Sequence, residues 1–234
     1  MLTRNTLFWL SSIAMICLFS TGAQLLNAQQ AATGTQPPVV SAPLDETGFK
    51  PLFDGKSFDG WEGNMKFFRI EDSAIVAGNL KEKIPNNEFL CTEQKYENFE
   101  LRLDAKLIGQ GDNAGVQFRS ERIPNHHEVI GYQCDIGLMG KDRSIWGALY
   151  DESRRKKFLA ETPVDSIKQV NQGEWNNLRI IAKGDNIQIY VNGTKTVDYK
   201  EQDLDIAKTG IIGLQIHSGP PAEAWYRNVR IKPL

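Results

Sequence analysis

Apolar and polar residues alternate with a period of two along most of the chain after about residue 48, which is the pattern of strands with one buried face. YENFELRLDAKLIG (residues 96–109) sets Phe99, Leu101, Leu103 and Ala105 against Glu100, Arg102, Asp104 and Lys106, and predicts a half-solvated antiparallel strand. In TGIIGLQIHSG, Ile212, Leu214 and Ile216 oppose Gln215 and His217. EWNNLRIIAKG predicts a strand and DNIQIYVNGTKTVDY a hairpin, because both residues of its Asn192–Gly193 turn tolerate positive φ. EAWYRNVRIKPL closes the chain with a last alternating strand. Two Asp-Gly turns, at Asp54–Gly55 and Asp59–Gly60, precede Trp61 near the start. The longest piece without alternation is KKFLAETPVDSIKQVNQGEW, which holds at most a helical turn around residues 164–170.

Roughly ten to twelve short strands with turn signals between them, and almost no helical period, predict an all-β, two-sheet antiparallel jelly-roll sandwich. The absence of an internal repeat argues against a propeller. The pattern breaks before residue 47. Residues 1–28 read as a signal peptide: Arg4 is followed by the apolar run LFWLSSIAMICLFS, which is shorter than the ~20 residues of a membrane span. An uncleaved anchor is the competing reading. Residues 29–46, rich in Ala, Gln, Thr and Pro, read as a flexible linker, and residues 47–234 as a single domain. The expected location is secreted or periplasmic.

A net charge of −2 over 234 residues gives no basic stripe, so neither nucleic acid nor, after signal cleavage, a membrane is expected as partner. The one dense basic run, ESRRKK, reads as a solvated loop. Cys17 belongs to the leader. Cys91 and Cys134 allow one disulfide or two buried free thiols. No cofactor is predicted, and no ligand spacing supports a divalent metal; His126, His127 and Glu128 read as a solvated loop.

The unusual stretch is residues 113–155, with the strand-like runs AGVQFRS, GYQCDIG and SIWGALYDE. One face of the first carries Ala114, Val116 and Phe118, the other Gln117 and Arg119. In the second, Tyr132, Cys134 and Ile136 oppose Gln133 and Asp135. An amide, a guanidinium and a carboxylate thus point the same way, on what reads as the floor of a site.

GFKPLFDGKSFDGW, NAGVQFRS, GYQCDIG…WGALYDESRR, GEWNNLRIIAKGDNIQIYVNG and GIIGLQIHSG…WYRNVRIKPL, in that order, resemble the 3-keto-disaccharide hydrolase domain family, domain of unknown function 1080. The resemblance spans about residues 48–234. It implies a concanavalin A-like fold, a carbohydrate substrate and cleavage of 3-keto-glycosides. Many members carry Glu and Gln where this chain has Gln133 and Asp135, a displacement of two residues that keeps the strand face. A C3 ketone acidifies the sugar's C2 hydrogen, so loss of that proton can expel the C1 oxygen, and water can then add back. This requires a base, a stabiliser of the enolate oxygen and an acid. The expected catalytic residues are Asp135 as base, Arg119 for the enolate, His217 as acid and Glu152 as an alternative acid or base. Gln117, Gln133, Gln215, Trp146 and Tyr150 are expected to bind substrate. The bland alternatives are an Arg119–Asp135 surface ion pair, an idle His217, and Trp146 and Tyr150 in the core. A carbohydrate-binding module without catalysis is the alternative function.

Overall fold

The computed structural model describes residues 45–140 and 143–234. The expected signal peptide, and the expected linker up to residue 44, lie outside the described residues. Asp45–Leu234 forms one compact unit. Glu46 is already tied to it, with its carboxylate 2.7 Å from Arg230 and 3.0 Å from Arg102.

Two antiparallel sheets make up the unit. The first contains β1 (Lys50–Pro51), β3 (Phe68–Glu71), β4 (Ala74–Asn79), β6 (Phe99–Gly109), β12 (Asn176–Lys183), β13 (Asn186–Val191), β14 (Thr194–Lys200) and β16 (Ala222–Pro233). Its order is β14-β13-β12-β6-β16-β4-β3, with β1 beside β16. The second contains β2 (Trp61–Glu62), β5 (Glu88–Thr92), β7 (Asn113–Arg122), β8 (Val129–Met139), β9 (Arg143–Ser144), β10 (Leu149–Glu152), β11 (Phe158–Ala160) and β15 (Ile211–Ile216). Its order is β11-β10-β8-β7-β15-β5-β2, with β9 beside β8. This is the expected all-β sandwich. The strands beyond the expected count are pieces of two or three residues, too short for alternation to show. A 3-10 helix, Val164–Gln169, occupies the expected helical turn.

The core lies between the sheets. Leu101, Leu103, Ala105, Leu178, Ile180 and Tyr226 from the first meet Val116, Phe118, Cys134, Ile136, Leu214 and Ile216 from the second. Tyr226 crosses this core and donates its hydroxyl to the Gln215 carbonyl at 2.6 Å, fixing the second sheet from its inner side. The Asn192–Gly193 turn has both residues at positive φ, 49° and 83°, and joins β13 to β14 as the sequence requires. The charged face of β6 is less solvated than its alternation suggests. Glu100 and Arg102 are buried because Arg179 and Arg102 both pair with Glu100 while Phe49 stacks on Arg102.

ESRRKK is a structural clamp rather than a solvated loop. Arg154 and Arg155 both bind the fully buried Asp151, and Arg155 also binds Glu201, which accepts a 2.6 Å hydrogen bond from Tyr132. Cys91 and Cys134 are free, buried thiols. Cys134 belongs to the main core, and Cys91 to a small cluster with Phe89, Val129 and Ile211.

Candidate active site

The register of the second sheet brings the polar residues together. Gln117 on β7 pairs with Gln133 on β8, and Gln133 with Tyr150 on β10. One step along, Gln215 on β15 pairs with Gly115 on β7, and Gly115 with Asp135 on β8. Alternation turns all of these side chains to the face opposite Val116, Cys134 and Leu214. That face is not open to solvent: Gln117 and Gln215 are 0% exposed, Gln133 2% and Asp135 3%. Gly115 gives Gln133 its place, since a Cβ there would lie 2.5 Å from Gln133 Cδ.

A cavity of about 180 Å³ opens over this row. Gln133 and Asp135 form its floor, Tyr150, Phe158 and Met139 line it, and Glu152, His217, Asn87 and Asn113 complete the polar part. Tyr150 and Phe158 meet edge to face, with ring centroids 5.2 Å apart. Asn87 is committed elsewhere: its Nδ2 donates to Glu128 at 2.9 Å and its Oδ1 accepts from the Ser218 amide at 2.9 Å. Asn113 is not, and its buried Oδ1 has no hydrogen-bond partner among the described residues.

The electrostatics single out two carboxyls. Burial pushes Asp135 up to about 8, Glu152's charge adds to that, and the Gln133 hydrogen bond opposes it. Asp135 therefore carries a proton at neutral pH. Burial also raises Glu152, with a further push from Glu128, while the Ser153 amide and His217 pull the other way. His217 Nδ1 lies 2.7 Å from the Ser218 carbonyl. A carbonyl only accepts, so Nδ1 donates a hydrogen to it and Nε2 is the ring nitrogen left for other partners.

Asp135, Glu152, His217, Gln133 and Tyr150 thus converge, as the strand parity predicts. The other expected residues do not. Arg119 leaves the site because a β-bulge between Phe118 and Glu121 breaks the alternation, with Arg119 itself at φ 47°. Its guanidinium donates to the Glu97 and Gly184 carbonyls at 2.8 and 2.7 Å, and to Asn98 at 3.2 Å. It forms no ion pair with Asp135. Trp146 is a core residue, 1% exposed, so it offers no stacking surface. Gln117 is beneath the cavity and spends its amide on Gln133 and Ser120. Gln215 is buried without lining the cavity, and neither end of its amide has a hydrogen-bond partner among the described residues.

Asn87, Asn113, Met139 and Phe158 line the cavity and were missed. Asn113 directly precedes the AGVQFRS run with the parity of Gln117, a usable signal; Asn87 lies in a loop far off in sequence, and Phe158 lies close by on the short strand β11, which shows no alternation. Among the described residues, no group of three or more His, Cys, Asp or Glu side chains is placed to hold a metal ion.

Residues 48–232 match the model of the 3-keto-alpha-glucoside-1,2-lyase-like domain, and the chain belongs to that family. A 3-keto-disaccharide hydrolase from Bacteroides thetaiotaomicron is 22% identical over 237 residues, covering 82% of this chain and 80% of the relative. Among solved structures, a proposed glycosyl hydrolase from Parabacteroides distasonis superposes with a TM-score of 0.59 at 24% identity, over 80% of this chain and 94% of that one. The carbohydrate-binding module CBM66 from Bacillus subtilis gives 0.55 at 16% identity, over 74% and 95%. At these identities the two structures establish the shared fold. Family membership makes this a glycan-related, hydrolase-type protein.

Proposed function

We propose that the protein is a secreted or periplasmic enzyme that cleaves 3-keto-glycosides by eliminating the C1 substituent. The observation that supports this most is a proton-bearing buried carboxyl, Asp135, in the same small cavity as a second carboxyl, Glu152. Two carboxyls with different environments are the usual way to hold an acid and a base at one pH. The cavity is smaller than the roughly 300–1,000 Å³ of drug-sized ligand sites. It suits one sugar ring, with the aglycone outside.

In this reading Glu152 removes the C2 proton. The C2–H electron pair moves toward C3 and the ketone oxygen becomes an enolate. As it collapses, the C1–O bond breaks and the departing oxygen takes the proton of Asp135. Water then adds at C1 and gives up one proton to the ionised Asp135, while the proton on Glu152 returns to C2, which completes net hydrolysis and restores both carboxyls. Asp135 thus moves from the expected base to the acid, and Glu152 takes the base's place. Asn113 and His217 Nε2 are left for the sugar's hydroxyls, and the Tyr150–Phe158 edge for its ring.

The test is a panel of 3-keto-glucosides, with and without a chelator, read as released aglycone. Release that is lost in Glu152→Gln and in Asp135→Asn supports the proposal. The fold shared with a carbohydrate-binding module favours the second reading: glycan binding with no release by the wild-type protein would establish that one instead. Fractionation of the producing cells tests the location.

A further inference from the structure

Asp135 is reached from below by a chain of side-chain hydrogen bonds with a single direction. Ser120 Oγ, fully buried, has Gln117 Oε1 as its shortest acceptor at 2.8 Å, with the Phe118 and Tyr132 carbonyls at 3.0 and 3.4 Å sharing its one hydrogen. With Oε1 occupied, Gln117 presents Nε2 to Gln133 Oε1 at 2.6 Å. Gln133 then presents its own Nε2 to Asp135 Oδ1 at 2.5 Å. A side-chain amide has its donor and its acceptor on different arms, so turning over one glutamine alone would set two donors or two acceptors face to face. The two glutamines keep one polarity or reverse together. Their packing is built in as well. A Cβ on Gly115 would collide with Gln133, and one on Gly213 would lie 3.2 Å from Gln117 Cβ. Tyr226 holds the backbone beneath them through the Gln215 carbonyl.

We propose that Ser120 and Gln117 are positioning residues for Asp135: they hold the Gln133 N–H on Oδ1, so that the carboxyl's proton resides on Oδ2. Neither residue lines the cavity, so their effect on chemistry runs through Gln133 alone. The charged and titratable groups around Asp135 are Glu152 and Tyr150 on β10, His217 after β15, Glu128 acting on Glu152, and the Cys134 thiol on the opposite face. Gln133 is the one side chain that donates to the Asp135 carboxyl among the described residues. The inference rests on the acid role given to Asp135 above, but the relay is open to a measurement that needs no turnover.

The experiment is an infrared titration of the carboxyl in aspartate-labelled, full-length protein. The Asp135 band is identified by its loss in Asp135→Asn. Wild type, Ser120→Ala and Gln117→Met are compared. Freeing Gln133 weakens the bond that favours the carboxylate, so the Asp135 midpoint should rise in both variants. A neutral hydrogen bond allows a rise of up to about one pH unit, tenfold in the ionisation constant. On a 3-keto-glucoside the same variants should shift the pH limb of kcat by the same interval and leave KM unchanged. A folded variant in which Asp135 titrates at the wild-type midpoint overturns the relay. If Gln117→Met does not fold, Ser120→Ala decides. A shifted midpoint in a protein with no turnover keeps the relay and removes the reaction. Turnover with an unshifted midpoint removes the relay alone.

Discussion

Replacing Asp135 with Asn should make the protein more stable at neutral pH. The carboxyl's ordinary value is 3.8 and burial brings it up to about 8 in the folded chain. The folded state therefore binds the proton more tightly than the unfolded state, and folding gains stability from that proton only at low pH. Below about pH 3.8 the contribution is fully present, and it is lost as pH rises toward about 8. At pH 7 the interval above 3.8 is about three units, which at about 1.4 kcal/mol per unit is a loss of about 4 kcal/mol. Asparagine reproduces the protonated acid: its oxygen can accept from Gln133 Nε2, its NH₂ takes the place of the O–H, and it never ionises. Urea denaturation of wild type and Asp135→Asn at several pH values gives the difference directly, and the titrations of all other groups largely cancel in it. The difference should be near zero around pH 3.5 and widen in favour of the variant up to about pH 8. A difference that is flat with pH, or a variant less stable than wild type at pH 7, would refute the assignment of Asp135 as a buried, proton-bearing acid.

Gly115→Ala places a Cβ 2.5 Å from Gln133 Cδ, and should cost about 1–3 kcal/mol by overpacking while moving the Asp135 titration upward; denaturation and the pH profile of turnover read the two effects separately. Arg119→Met removes three donated hydrogen bonds far from the cavity, so it should lower stability by about 2–5 kcal/mol and leave kcat within about twofold. In Cys91 burial pushes the thiol up to about 12, and in Cys134 burial raises it further. Neither should react with a thiol reagent at about pH 8 until the protein is unfolded, when both should be labelled.

The sheets were legible because period-two alternation is a local property, and the core positions Leu101, Leu103, Val116, Cys134, Leu214 and Ile216 follow from it directly. The same parity placed Asp135, Gln133 and Tyr150 correctly, since β8 and β10 run without interruption through those residues. It failed at Arg119 because a bulge is one extra residue, which no hydrophobic count registers, and every inference beyond it changes face. It failed differently at Trp146. That residue lies between β9 and β10, where strand parity has no meaning, and it turns into the core. Asn87 was out of reach because the loop before β5 meets the site only through tertiary packing, and Phe158 because β11, which sets it opposite Tyr150 on β10, is too short for alternation to show. ESRRKK looked solvated because the burial of its neighbour Asp151, three and four residues before the two arginines, is not visible in the sequence, and because Glu201 is brought to Arg155 only from the distant end of β14.

Burial is what separates the two functional readings. A binding face needs hydroxyl partners and a stacking surface, and exposed amides with an aromatic ring would supply both at little cost in stability. This chain instead sinks a carboxyl beneath the surface and shapes two glycine positions, Gly115 and Gly213, around the glutamines that lead to it. Sugar recognition does not require a group that destabilises the fold at neutral pH. Proton transfer does, because a donor must retain its proton beside a base that has given its own up. The sign of the Asp135→Asn stability change therefore bears on function as well as on electrostatics. A gain at pH 7 accompanied by loss of aglycone release is the signature of a catalytic acid retained at the expense of stability, whereas a gain with unchanged glycan binding and no release in either protein would leave Asp135 without a chemical task.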